Sequence, residues 1–141
     1  MTRPETNIAN TVSLVIPAKA EYLVFCRLAL VGLAQAKNID AETLADMKLA
    51  VTEACSNSIR HAYENADGHV SVRFTLEDDS IAIEVEDQGG GFEPPEAFRT
   101  FSPDAPEAGM GLAIIEALTD ELSFSAGADG RGSLVTFRKR V

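Results

Sequence analysis

The segment AVTEACSNSIRHAY, Ala50 to Tyr63, carries Glu53, Asn57, Arg60 and His61 inside a pattern that otherwise reads as a buried helix. At about 100° per residue, Asn57 lies about 40°, His61 about 80° and Arg60 about −20° from Glu53. A carboxylate, an amide, a guanidinium and an imidazole therefore share one sector. Met47, Val51, Ala54, Cys55, Ser58 and Ala62 fall on another sector and form the apolar stripe, while Leu49 and Ile59 fit neither side. Taken alone, the four polar groups match the solvated face of an amphipathic helix. The serines and asparagine of CSNS pull the other way, because these residue types favour caps and turns over helix interiors.

Two glycine-bearing segments add further chemistry. EVEDQGGGFEP sets Asp87 at the end of an alternating strand, followed by Gly89, Gly90 and Gly91. Glycines let the backbone turn sharply and approach a flat ligand closely, and a carboxylate beside them can accept a hydrogen bond from an exocyclic amine. A glycine-rich turn with a solvent carboxylate fits the same residues. AGMGLAII puts Gly109 and Gly111 at a helix start, where free N–H groups and the positive end of the helix dipole favour an anion. A loop ending at an ordinary helix is the plainer account.

The elements that must position these groups follow from periodicity. TVSLVIP is a short strand from Thr11 to about Pro17, and helical spacing runs from about Lys19 to Lys37. Asp40 is a helix N-cap with Thr43 in the first turn, and that helix extends to about Tyr63. HVSVRFTL and SIAIEVED alternate with Val70, Val72, Phe74 and Leu76, then Ile81, Ile83 and Val85, on one face. EDDS between them predicts an antiparallel hairpin. Gly89 to Gly109 is a long loop rich in Gly and Pro, of the kind that is usually functional. GMGLAIIEALTDE is a third helix, and LSFSAG and SLVTFRKRV are two further strands. The pattern predicts one α+β domain over residues 1–141, a two-layer α/β sandwich with a mixed, largely antiparallel sheet and helices on one face.

Composition narrows the function. The chain has 141 residues, 45% of them hydrophobic, which is enough for one core. The net charge of −10 argues against direct binding of nucleic acid. From Glu77 to Gly130 there are 14 acidic residues and one basic residue, Arg99, so side-chain charge cannot be the main means of holding a phosphate in this region; backbone N–H groups and a bridging metal can do so. No apolar run is long enough to span a bilayer, and MTRPETNIAN lacks the regions of a signal peptide, which predicts a cytoplasmic protein with no membrane association. Cys26 and Cys55 have no metal-ligand spacing and read as reduced core thiols. Neither a P-loop nor a dinucleotide-type βαβ unit is present.

The order of the motifs is more specific than any one of them. E-x-x-x-N-x-x-x-H on a helix, D-x-G-x-G after a strand, a loop, G-x-G-L opening a helix and a final GS strand resemble the ATPase superfamily shared by gyrase, the sensor histidine kinases and the mismatch-repair ATPases. The resemblance covers about Asp46 to Val141. Within that superfamily, VTEACSNSIRHAY and GMGLAII are most similar to the small bacterial anti-sigma-factor serine kinases. It implies the Bergerat-type ATP-binding fold, with ATP and Mg²⁺ as cofactors and a mobile lid at about 90–108.

The resemblance also implies roles by position. Glu53 is the general base for a substrate serine, and Asn57 coordinates Mg²⁺. Arg60 lies near the phosphates and His61 closes the same motif. Asp87 bonds the adenine amine, with Gly89 and Gly91 framing the pocket and Ser133 supporting it. Gly109, Met110, Gly111 and Leu112 cradle the phosphates. The sequence departs from the family pattern at PEA before Gly109, where Glu107 replaces a cationic or hydroxyl side chain, and Arg99 is the only cation of the loop. The implied function is to sequester a sigma factor and phosphorylate a STAS-type anti-anti-sigma protein. Arg27 resembles a partner-contacting arginine, a surface arginine on a core helix being the alternative, and family members are often homodimers. A nucleotide-gated binding module without kinase activity is the alternative function. A histidine kinase ATPase half fits less well, for want of a phosphoacceptor helix pair.

Overall fold

The computed structural model describes residues 10–62, 68–88, 106–126 and 132–141, with the backbone alone for 61–62 and 106–110. The elements are β1 (Thr11–Pro17), a 3-10 turn (Ala20–Tyr22), α1 (Leu23–Lys37), α2 (Ala41–Ala62), β2 (His69–Leu76), β3 (Ser80–Asp87), α3 (Pro106–Leu118), β4 (Glu121–Ala126) and β5 (Ser133–Arg140). The strands form one sheet of five in the order β1-β2-β3-β5-β4. All four ladders are antiparallel, so the mixed sheet expected from sequence is antiparallel throughout its described strands.

Local signals set the boundaries. The N–H of Thr43 donates to Asp40 Oδ1 at 2.8 Å, which caps α2 as its sequence indicates. Asn38 ends α1 in the left-handed region at φ 57°, a conformation that asparagine tolerates better than most residues. The β2–β3 turn is closed twice, by the Glu77 N–H on the Ser80 carbonyl at 2.8 Å and by the Ser80 hydroxyl on Glu77 Oε1 at 2.6 Å. Three boundaries differ from expectation, one being the end of α3 at Leu118 rather than Glu121, which opens β4. The residues before Leu23 form a 3-10 turn, the tighter geometry common at helix starts. α3 begins at Pro106 rather than Gly109, because proline has its φ preset and lacks an N–H to satisfy at a first helical position.

The core lies between the helices and one face of the sheet. Alternation turns Val70, Val72, Phe74, Ile81, Ile83, Val85, Val135 and Phe137 inward, where they meet Leu30, Met47, Val51, Cys55 and Ile115. Phe74 and Phe137 are fully buried, and truncating either to alanine would remove about 3–5 kcal/mol. The other sheet face is largely polar, with Val15 exposed on it. Arg73 pairs there with its cross-strand neighbour Glu84 at 2.7 Å, and Arg138 with Glu77 at 2.8 Å.

The buried arc of α2 is wider than the stripe read from sequence. Ala50 is 0% exposed and Asn57 8% exposed, although both fall in the polar sector. α3 packs against α2 and covers that side. Leu49 is left exposed at the surface, and Ile59 packs on the margin of the core.

Candidate active site

Asp87 ends β3 and is 2% exposed. The β3–β5 ladder carries Ser133 to its side, since Glu86 pairs with Leu134. The Ser133 N–H donates to Asp87 Oδ1 at 3.2 Å and the Ser133 hydroxyl donates to Oδ2 at 2.7 Å. A carboxylate accepts at about four lone-pair positions, and Ser133 draws on two of them. The adjoining Gly132 has φ 65°, and a Cβ there would collide with the Asp87 carbonyl oxygen. Both the conformation and the close approach require glycine. The buried acid is thus aimed by a serine and a glycine from the far end of the sequence.

A second cluster lies where α2 meets α3. Glu53 is half-buried, Asn57 is buried and Arg60 is exposed. Arg60 Nη2 donates to Asn57 Oδ1 at 3.0 Å across one helical turn. Glu53 reaches α3: its Oε1 lies 2.9 Å from the point a Cβ on Gly111 would occupy. A glycine inside a helix costs about 0.8–1.0 kcal/mol relative to alanine, so its presence calls for a reason. Of the four polar residues grouped by sequence, Asn57 and Arg60 are thus joined by a hydrogen bond, and Glu53, one turn before Asn57, faces Gly111. The side chain of the fourth, His61, lies outside the described residues.

The glycine loops are placed in part. Gly89, Gly91, Arg99 and positions 90–105 of the expected lid lie outside the described residues. Gly109 and Met110 belong to the backbone of α3. Only the first four N–H groups of a helix lack an internal acceptor. With α3 starting at Pro106, those of Gly111 and Leu112 fall beyond that set. The Leu112 side chain is 2% exposed and belongs to the core. A phosphate cradle from Gly109 to Leu112 thus differs from the helix observed, and the early start at Pro106 is the cause.

Two contacts were not legible from the sequence. Arg27 Nη1 donates to Thr52 Oγ1 at 3.3 Å, tying α1 to the residue before Glu53, and the Thr52 hydroxyl donates in turn to the Lys48 carbonyl at 2.7 Å. Around Arg27, Val24, Phe25 and Leu28 present an uncharged apolar surface, with Leu28 59% exposed. The buried thiols of Cys26 and Cys55 are free, and the neighbouring Cys26 thiol, with burial, raises the Cys55 pKa well above its ordinary value.

Comparison with known proteins places this geometry. A family profile described as a histidine kinase-like ATPase domain matches residues 16–139. Serine-protein kinase RsbW of Bacillus licheniformis is 34% identical over 142 residues, covering 94% of this chain and 88% of that protein. Serine-protein kinase RsbW of Bacillus subtilis is 34% identical over 125 residues, covering 82% of this chain and 78% of that protein. Among solved structures, a chain of the SiaB-SiaC complex from Pseudomonas aeruginosa superposes with TM-score 0.60 at 16% identity, covering 99% of this chain and 100% of that one. The histidine kinase domain of the Erythrobacter litoralis EL346 blue-light activated histidine kinase superposes with TM-score 0.56 at 21% identity, covering 88% and 61%. At these identities the structural likeness speaks for the fold.

Proposed function

The chain belongs to the histidine kinase-like ATPase domain family, and we propose that it is an ATP-binding anti-sigma factor that sequesters a sigma factor and phosphorylates a serine on a STAS-type antagonist. Its protein serine kinase activity rests on the identity to serine-protein kinases over 94% of the chain. The observation that carries the mechanism is the junction of α2 and α3, where the Glu53 carboxylate lies against Gly111 beside buried Asn57.

In this mechanism Asp87, aimed by Ser133, accepts the adenine amine and fixes the base. Asn57 and Arg60 face the phosphates. Phosphoryl transfer needs positioning and charge stabilisation more than covalent help. Glu53 takes the proton of the substrate serine as its oxygen bonds to the terminal phosphorus, and the bond to the ADP oxygen breaks. No cluster of three or more His, Cys, Asp or Glu able to hold a metal occurs among the described residues. Mg²⁺ does not need one: one or two protein oxygens, phosphates and water satisfy it. The Asn57 amide oxygen fits that demand, being a hard donor whose described partner is an exposed arginine side chain. When bound, the ion would be held by Asn57 and would neutralise charge on the phosphates.

A cradle from Gly109 to Leu112 would require the first turn of α3 to open as the nucleotide enters. Arg27 and the apolar residues around it supply a surface for a protein partner. The same reading includes a homodimer and a cytoplasmic location. Among the described residues no helix is long and apolar enough to cross a membrane.

The test is transfer of radiolabelled phosphate from ATP to a STAS-type protein. Wild type labels a serine, and Glu53→Gln retains nucleotide and partner binding while labelling slows by about 10²- to 10⁴-fold. No transfer by wild type to any such protein would favour the nucleotide-gated binding module.

A further inference from the structure

The family motif explains a glycine at position 111 by contact with phosphates, but the helix observed does not supply that contact, because Gly111 lies past the first four residues of α3. Backbone conformation does not explain it either: among the described glycines, Gly132 alone has a positive φ. Nor does close helix packing. Among the described residues outside its own helix, the atoms within 4 Å of a Cβ built on Gly111 are Glu53 Oε1 at 2.9 Å and Glu53 Cδ at 3.9 Å, both from one side chain and neither from a backbone. Gly32 and Gly132 differ. Gly32 has nothing within that distance, and Gly132 meets the backbone of Asp87.

We propose that Gly111 is a positioning residue for Glu53: the missing side chain leaves the space in which the carboxylate is seated against α3. The inference rests on Glu53 being the base. An alanine methyl at 2.9 Å from Oε1 is closer than real Cβ contacts, so the carboxylate must rotate away. The displaced group is the tip of a flexible side chain, so the fold survives while the base leaves its place. Misplacement by about 1 Å is enough to cost on the order of 10²-fold in rate.

The experiment is a double-mutant cycle on the full chain. Gly111→Ala in the wild-type background should lower kcat for serine phosphorylation by roughly 10- to 100-fold with little change in KM for ATP. In the Glu53→Gln background the same substitution should add no further loss. Equal fractional losses in both backgrounds, or a raised KM with kcat unchanged, would overturn the proposal in favour of a phosphate contact. Glu53→Gln alone reports on the underlying premise. If it transfers as fast as wild type, Glu53 is not the base and the positioning role falls with it.

A second measurement does not depend on activity. Alanine is the better helix former, so Gly111→Ala should raise the melting temperature of a Glu53→Ala chain. It should raise that of wild type less, or lower it. Failure of Gly111→Ala to fold unless Glu53 is also truncated supports the contact. An equal rise in both backgrounds shows that the two residues do not meet, and refutes the seat.

Discussion

Ser133 holds Asp87 at both carboxylate oxygens, through its N–H at 3.2 Å and its hydroxyl at 2.7 Å. Hydrogen bonds to charged groups are worth about 1.5–3 kcal/mol. Removing the hydroxyl with Ser133→Ala should weaken ATP binding by roughly 10-fold, and Asp87→Asn should weaken it more, since it replaces an acceptor oxygen with a donor. Isothermal calorimetry gives both values. Unchanged affinity in Asp87→Asn would remove this residue from the adenine pocket.

Gly132→Ala acts on folding before it acts on binding. The left-handed conformation alone costs a side-chain-bearing residue about 1–2 kcal/mol, and the new methyl also strikes the Asp87 carbonyl oxygen. Thermal unfolding should show a large fall in melting temperature. A midpoint equal to that of wild type would mean that this turn can open without cost.

On the proposed mechanism, substitutions at Asn57 and Arg60 should separate metal binding from base binding. Asn57→Ala should abolish most of the Mg²⁺ dependence of nucleotide binding while the adenine pocket stays intact. Arg60→Ala releases the Asn57 oxygen and should leave that dependence in place while weakening the phosphate contact. Nucleotide titrations with and without Mg²⁺ decide this, and parallel shifts in Asn57→Ala would exclude it as the ligand.

The outer sheet face confers an acid limit. The hydrogen bond from Arg138, then that from Ser80, holds the Glu77 carboxyl below its ordinary range. The unfolded chain therefore binds the proton more readily, and stability rises with pH across that window. The contribution is full at neutral pH and is lost as pH falls below about 4.5, through the depressed folded value. Glu77→Gln should flatten the dependence of the urea midpoint on pH in that range and leave the rest of the curve in place. Identical slopes for mutant and wild type would locate the acid sensitivity elsewhere.

Elements with local signals were legible in the sequence. The Asp40 cap, the Glu77–Ser80 turn and the alternation of β2 and β3 each depend on residues a few positions apart, and each is observed. Burial of Asn57 was not legible, because helical periodicity describes one helix and the covering surface comes from α3. The contact of Glu53 with Gly111 is hidden for the same reason. Ser133 could be placed near Asp87 by motif order, but its two hydrogen bonds depend on the β3–β5 register. The start of α3 at Pro106 lies three residues before Gly109, because the proline, not the glycines, opens the helix.

The strand order also sets when the pocket comes into being. Asp87 and Ser133 are 46 positions apart, and β5 is the last strand in the sequence, yet it lies beside β3 in the interior of the sheet. A chain emerging from the ribosome can close the β2–β3 hairpin early, since its contacts are local, whereas β5 must be complete before the ladder with β3 can form. Until then Asp87 has neither its serine nor its glycine. If these residues form the adenine pocket as proposed, a nascent chain lacks it, and nucleotide can stabilise the fold only after β5 has docked.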